Sequence, residues 1–295
     1  MMTMVAGAAL LLSGCGTALE RGYMPEPITE DGPAIITLWN GAWIAALAVG
    51  VLVWGLILWC MVAYRRRHED QALPPQIRYN VPIEILYTIV PVLMVAVLFG
   101  KTVEVQNEVL SSDQEPDVTV NVIGKKWSWD ANYIEDNVYI EGVQASGLSD
   151  GEEGLFETLP TIVLPVDSRV EFVLTSRDVI HSFWVPGFMK KLDMIPGRVN
   201  SFQVVTTEEG TFTGKCAELC GAYHSQMLFR VQVVPQGEYD QFVTDLEAAG
   251  SSGQLSNDLN LYPLYDDPQR KSFYPDEDEG VYVPGDDERV SQGSN

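Results

Sequence analysis

The apolar positions of this 295-residue chain fall into distinct rhythms, and each predicts a different kind of element. From Ile35 to Tyr64 the side chains are dense in Leu, Val, Ala and Trp, and no charge occurs between Asp31 and Arg65. At ~1.5 Å per residue a helix over 35–64 outruns the ~30 Å hydrocarbon core, so this segment predicts a first membrane span. A second span fits 81–103, where Glu84 and Lys101 are the only charges and both lie near its ends. Pro82 suits the first turn of that helix, and Pro91 predicts a kink in its interior. The loop between the spans, 65–80, carries Arg65, Arg66 and Arg67. Cationic loops stay in the cytoplasm, so both chain ends are expected on the outer face of the plasma membrane.

Ahead of the spans, the run from Val5 to Leu12 is too short to cross a bilayer and stops at Leu12-Ser13-Gly14-Cys15. Small residues before a cysteine follow the pattern of a bacterial lipoprotein signal, although the usual basic start is missing. The expectation is a signal over 1–14, a lipid on Cys15 and an outer segment over 15–34. An ordinary signal peptide with an incidental Cys15 is the alternative.

Past Val103 the rhythm becomes alternation. Residues 117–123, 161–164, 169–174, 201–205 and 228–234 alternate apolar with polar and are separated by Gly, Pro and Asp turns. Short strands of this kind predict a Greek-key sandwich or barrel of about 130 residues within 104–249. Glu238 to Ala248 reads as a short amphipathic helix. Beyond it, 250–295 is rich in Asp, Ser, Gly and Pro and predicts an acidic C-terminal extension without a core of its own. The fold class is thus a two-helix transmembrane hairpin followed by an all-β domain.

Charge narrows the partners. The chain carries 41 acidic against 18 basic side chains, a net charge of -23, which excludes nucleic acid because phosphate binding needs a basic footprint. The acid is concentrated after the apolar part: seven acids against six bases up to Val103, 24 against nine from Glu104 to Ala249, and ten against three from Gly250.

Of four cysteines, Cys15 is the lipid candidate and Cys60 lies in the first span, which leaves Cys216 and Cys220. These stand in Cys216-Ala-Glu218-Leu-Cys220-Gly-Ala-Tyr-His224-Ser-Gln-Met227, and the chain's other histidines are His68 beside the arginines and His181 at a strand end. Two thiols, two imidazoles and a thioether form a soft donor set suited to copper. Three plainer readings stand beside it: a Cys216–Cys220 disulfide, a closed zinc site that has no use for Met227, and packing of Met227 with an idle His181.

The spacing Cys-x-Glu-x-Cys-x3-His-x2-Met with a distant upstream His resembles the dinuclear CuA loop of subunit II of the haem-copper cytochrome c oxidases, and the likeness covers about Trp39 to Ala249. The resemblance implies a cupredoxin-like fold for the β domain. It also implies that Cys216 and Cys220 bridge two coppers, with His181 and His224 as terminal ligands. Met227 and the backbone carbonyl of Glu218 would be weak ligands. The Glu218 side chain and Asp193, in Lys191-Leu-Asp193-Met-Ile-Pro-Gly-Arg198, match an Mg or Mn site shared with subunit I. Trp127, in Lys126-Trp127-Ser128-Trp129, matches the aromatic ring, expected to be exposed, through which a c-type cytochrome delivers its electron. Trp129 fits a core position equally well, and the family's usual tyrosine is replaced by Ser128. Glu84 matches the acid at a proton-channel entrance into subunit I, and a helix-start carboxylate is its plainer reading.

So read, the chain passes electrons from cytochrome c to haem a of subunit I, where oxygen is reduced to water and protons are pumped. The expected partners are subunits I and III and membrane lipid. The Cys15 signal, the insertion-like stretch 142–157 and the acidic tail resemble the actinobacterial form. There the donor is a membrane-held c-type cytochrome of a quinol-cytochrome c reductase complex. A quinol oxidase subunit would lack the cysteine pair, and a copper-storage lipoprotein would lack the Glu84 and Asp193 segments.

Overall fold

The computed structural model of the chain describes residues 16–65, 76–145 and 159–258. Cys15, Arg66, Arg67, His68, residues 146–158 and the tail from 259 lie outside the described residues. After a short helix α1 (Gly16–Glu20) come two long ones, α2 (Gly32–Ala63) and α3 (Val81–Val109). Pro33 opens α2, where its missing N–H costs nothing. Asn80 caps α3 by accepting from the Ile83 N–H. Both helices are long and apolar enough to cross a membrane, and their apolar stretches are unburied among the described residues. The second runs uninterrupted through Pro91 and continues past the expected end of its span to Val109, where the polar Lys101–Glu104 pair already marks the water side.

Among the described residues ten strands follow: β1 (Val118–Lys125), β2 (Ser128–Tyr133), β3 (Val138–Ile140), β4 (Thr161–Pro165), β5 (Arg169–Ser176), β6 (His181–Val185), β7 (Lys190–Met194), β8 (Asn200–Val205), β9 (Gly210–Cys216) and β10 (Leu228–Val234). The chain then closes with helix α4 (Gln236–Ala248). The strands form two five-stranded sheets, ordered β3-β2-β1-β5-β8 and β4-β10-β9-β6-β7. Two pairings, β1 with β5 and β10 with β4, are parallel and the rest antiparallel, so the chain crosses between sheets as in a Greek key. Between the sheets lies one apolar core in which Phe172, Phe183, Phe202 and Phe229 stack or tilt against one another with centroids 4.8 to 6.2 Å apart.

Two terminal segments are stitched to this sandwich. On the N-terminal side, Ile28 is buried in the core; its N–H donates to the Gly187 carbonyl, and the Thr207 N–H donates to the Ile28 carbonyl. On the C-terminal side, residues 251–258 add to the domain past the expected boundary at Ala249. The buried Asn132 amide both donates to the Leu255 carbonyl and accepts the Leu255 N–H, at 2.9 and 2.8 Å. Arg177 Nε donates to the Ser256 carbonyl at 2.8 Å, and Thr175 Oγ1 donates to Asn257 at 3.0 Å. These polar side chains supply the partners that the segment's own sparse apolar content cannot.

Candidate metal centre

The candidate ligands come from one sheet. His181 opens β6 and Cys216 closes β9, and the two strands are neighbours in which Phe183 pairs with Cys216. Residues 217–227 then loop back into β10, closed by the Cys216 N–H donating to the Met227 carbonyl at 3.0 Å. The loop is anchored to β6 through the Ala217 N–H, which donates to the Ser182 carbonyl. Sheet pairing therefore fixes both ends of an eleven-residue excursion, and the donor atoms converge inside it.

Donor atoms of His181, Cys216 and Cys220 lie within 4.8 Å of one another. Both cysteines are free thiols, with Sγ atoms 3.8 Å apart. His181 Nδ1 is 3.8 Å from Cys216 Sγ on one side of the pair, and His224 Nδ1 is 3.5 Å from Cys220 Sγ on the other. Met227 Sδ stands 3.7 Å from Cys220, and the Glu218 carbonyl 3.1 Å from Cys216. His181 and Met227 are fully buried and both thiols nearly so, whereas His224 is half-buried and the Glu218 side chain is exposed. The structure thus brings together the thiols, imidazoles, thioether and carbonyl that the sequence pattern singles out. Free thiols argue against the disulfide reading, and Met227 among the donors argues against an all-nitrogen-and-thiolate zinc cage.

Behind the donors stands Asp178, which sequence reasoning missed. Its Oδ1 accepts from His181 Nε2 at 2.7 Å and from the Val179 N–H at 2.6 Å, and its Oδ2 accepts from the Lys126 N–H at 2.7 Å. A carboxylate on Nε2 leaves Nδ1, the nitrogen facing the thiols, free to ligate. The only sequence signal was an Asp three residues ahead of a candidate ligand.

These contacts set the proton affinities of the metal-free site. Burial disfavours a charged His181, but hydrogen bonds to Asp178 and Cys216 outweigh it and hold the imidazole above its ordinary value. For Cys216 burial again opposes ionisation. The His181 ring and backbone hydrogen bonds at Glu218 and Ser182 reverse the balance and bring the thiol down to about 7. Cys220 has no such support: burial first, then the neighbouring Cys216 charge, push it up to about 12.

Trp127 is half-buried rather than exposed, because its ring lies on the ligand loop. It meets Tyr223 edge-on at 4.9 Å between centroids, and a Cβ on Gly221 would come within 3.1 Å of it. Gly221 also has φ +129, so both its backbone and the indole above it require glycine. Trp129 is core, 1% exposed, and its Nε1 donates to the Met227 carbonyl at 3.4 Å. Asp193 and Glu218 sit on neighbouring segments: Asp193 pairs with Ser182, whose carbonyl receives the Ala217 N–H. Glu84, a turn into α3, accepts from the Asn80 N–H at 2.8 Å, which gives it a helix-capping bond far from the metal candidates.

Residues 118–234 match the family described as cytochrome c oxidase subunit II, periplasmic domain, and residues 23–100 match cytochrome c oxidase subunit II, transmembrane domain. A probable cytochrome c oxidase subunit 2 of Streptomyces avermitilis is 47% identical over 261 residues, covering 79% of this chain and 81% of the relative. Cytochrome c oxidase subunit 2 of Mycobacterium tuberculosis is 34% identical over 310 residues, covering 88% and 85%. Among solved structures, the periplasmic domain of subunit II of the Bradyrhizobium japonicum cytochrome oxidase is 31% identical, with a TM-score of 0.42, covering 46% of this chain and 97% of that one.

Proposed function

Because this chain belongs to the cytochrome c oxidase subunit II family, we propose that Cys216, Cys220, His181, His224, Met227 and the Glu218 carbonyl hold that family's dinuclear copper centre, CuA. The chain is a two-span membrane subunit of a haem-copper oxidase, assembles with other oxidase subunits and serves electron transfer. What carries the residue assignment is the convergence of the donors: two thiols side by side, one imidazole flanking each, and two weaker donors beyond. Bound copper would supply a one-electron couple. The protein's part is to hold the ligands still. Cys216, already lowered to about 7, is ready to ligate as thiolate, whereas Cys220, pushed up to about 12, would have to release its proton to solvent to ligate. Burial of His181, Met227 and both thiols keeps water from adding to the ligand set.

The test is copper reconstitution of the purified full-length chain, read by visible and spin-resonance spectra. A purple centre with one unpaired electron shared over two coppers is expected, and Cys220→Ser should abolish it while leaving the β-sheet circular dichroism intact. Two coppers retained in the variant would overturn the assignment.

The finer roles follow from position. Trp127, lying over Gly221 and against Tyr223, admits the electron from a c-type cytochrome, and the copper centre passes it to haem a of subunit I. Glu218 and Asp193, one exposed and one half-exposed on adjacent segments, contribute to an Mg or Mn site completed by subunit I. Glu84 takes up protons at the cytoplasmic start of α3, its capping bond to Asn80 holding the carboxyl at the helix mouth.

Cys15 carries lipid on the outer face. This is supported by the segment just after it, which lies against α2: the Glu20 carbonyl accepts from Asn40 Nδ2 and the Gly22 carbonyl from Trp39 Nε1. The tail from 259 holds a neighbouring complex that carries the donor cytochrome. Its support is the pinned stretch 251–258, which ends at Arg177 and Thr175, next to the Asp178–Lys126 contact and so beside Trp127.

A further inference from the structure

Lys190 opens β7 and is 9% exposed at its side chain, a costly place for an ammonium unless every donor is satisfied. All three are. Nζ donates to the Asp31 carboxylate at 2.9 Å, to the Val109 carbonyl at 2.9 Å and to the Gln203 carbonyl at 2.8 Å. Those acceptors belong to three different parts of the molecule. Asp31 is the residue capping the start of α2, Val109 is the last residue of α3, and Gln203 lies in β8. The ammonium also sits at the carbonyl end of α3, where the helix dipole favours a cation.

The two helices are fixed to the sandwich unequally, and α3 is the weakly held one. Residues 111–115, which lead from α3 to β1, are exposed, and one hydrogen bond, from Gln203 Nε2 to the Gln114 carbonyl at 3.0 Å, ties them down. On the other side, residues 28–30 pair with 205–207 at and just past the end of β8 and lead straight into α2, which is therefore held by backbone bonds as well. Lys190 joins the two sides at one atom. From that atom the hairpin of β6 and β7 runs directly to the metal candidates, since Val185 pairs with Lys190 at one end and His181 with Met194 at the other. Four residue steps at ~3.4 Å make this a rigid span of roughly 14 Å.

We propose that Lys190 is a positioning residue for electron transfer: by locking both transmembrane helix ends to the sheet that bears His181 and Cys216, it holds the copper centre at one fixed distance from its acceptor in the membrane. The inference rests on the copper reading above. Tunnelling rates fall exponentially with distance, so a hinge at the helix ends slows transfer without touching any ligand. The lysine stands at the end of β7 remote from Trp127, so the affinity for the donor is left unchanged.

The experiment uses the intact oxidase carrying Lys190→Met or, as a milder change that keeps both carbonyl bonds, Asp31→Asn. Three quantities are read: the copper spectrum, the flash-induced rate from copper to haem, and the pulsed spin-resonance distance between the oxidised copper centre and a nitroxide on Cys60 of α2. The expected result for Lys190→Met is a wild-type copper spectrum and donor KM, a broadened distance distribution, and a rate lowered on the order of tenfold or more. Asp31→Asn should move the rate and the distance distribution the same way by less. Wild-type rate and distance in the variants that assemble would overturn the proposal. So would loss of the copper spectrum together with the rate, which would make Lys190 a residue of the domain's fold. A wild-type oxidase without the purple spectrum would instead sink the copper reading itself.

Discussion

Replacing Asp178 by Asn is the sharpest test of how the protein prepares its ligands, because the two residues have the same shape and differ in charge and in one donor. The carboxylate takes three hydrogen bonds at 2.6 to 2.7 Å, and its side chain is 12% exposed. An Asn carbonyl in place of Oδ1 keeps the His181 and Val179 bonds in neutral form, which are about half as strong as charge-assisted ones. Its amide would then face the Lys126 N–H, donor against donor, and leave that bond unmade. Two separate losses follow. The first is metal affinity: weakening the carboxylate behind a ligating histidine costs about 10- to 100-fold, or about 1.4 to 2.8 kcal/mol. The second is fold stability of the corner before Trp127, on the order of 1 kcal/mol for the unmade bond.

Proton affinities of the metal-free chain give an independent readout. The Asp178 carboxylate helps hold His181 above its ordinary value, and the charged imidazole in turn lowers Cys216. Without the carboxylate, His181 falls and Cys216 rises, so the midpoint for alkylation of the first thiol should move upward from about 7. The sign for stability follows from the same shift. A depressed thiol stabilises the metal-free fold in full above its unfolded value, and that contribution is lost as pH falls to about 7; in the variant, with Cys216 raised, the contribution is smaller and its loss is complete at higher pH. Copper competition against a chelator and alkylation across pH measure the two effects. Unchanged affinity with an unchanged alkylation midpoint would refute the view that Asp178 prepares His181.

Trp127→Gln should slow electron uptake from the natural donor strongly while leaving the copper spectrum in place, and a wild-type steady rate would show that the electron comes in elsewhere. Glu84→Gln keeps an acceptor for the Asn80 N–H and removes only the titrating proton, so lowered turnover with intact copper separates proton uptake from helix capping. Deletion of 259–295, which leaves the pinned residues 251–258 in place, should release the neighbouring donor complex and make turnover with free cytochrome c strongly salt-sensitive. Co-purification of that complex at wild-type yield would reduce the tail to a solvated appendage.

Legibility in the sequence followed how local each signal was. The two helices could be read because apolar runs of that length, one charge-free and one charged only near its ends, have no other home, and the ligands because five of the side chains stand at short spacing or at a strand end. Strands β1, β4, β5 and β10 are buried along most of their length, β8 along half of it, and all five alternate or run apolar. By contrast β7, Lys-Lys-Leu-Asp-Met, and β9, Gly-Thr-Phe-Thr-Gly-Lys-Cys, are partly exposed and polar, so neither carries the alternation that announces a strand. Their pairing is imposed by β6 and β10 on either side. Lys190 was illegible for a different reason: its carboxylate partner is 159 residues away in sequence, and nothing near either residue points to the other.

The placement of the site accounts for how one small centre can serve two partners. Every proposed ligand comes from the sheet containing β6, β9 and β10, whereas Trp127 sits at the β1–β2 corner of the opposite sheet. Trp127 and the ligands are brought together where the ligand loop folds over, at Gly221 and Tyr223, and where Asp178 bonds His181 and Lys126 together. The proposed electron-entry ring, Trp127, and His181 are therefore braced by one carboxylate and one loop, while the tip at Glu218 and Leu219 is exposed. The deeper donors, His181, Met227 and the thiols, are buried behind that tip with Trp129 and Phe229 packed at their back. A partner that docks on this tip would meet it while His181, Met227 and both thiols stay buried beneath, and ligands held still in this way are what an electron relay needs.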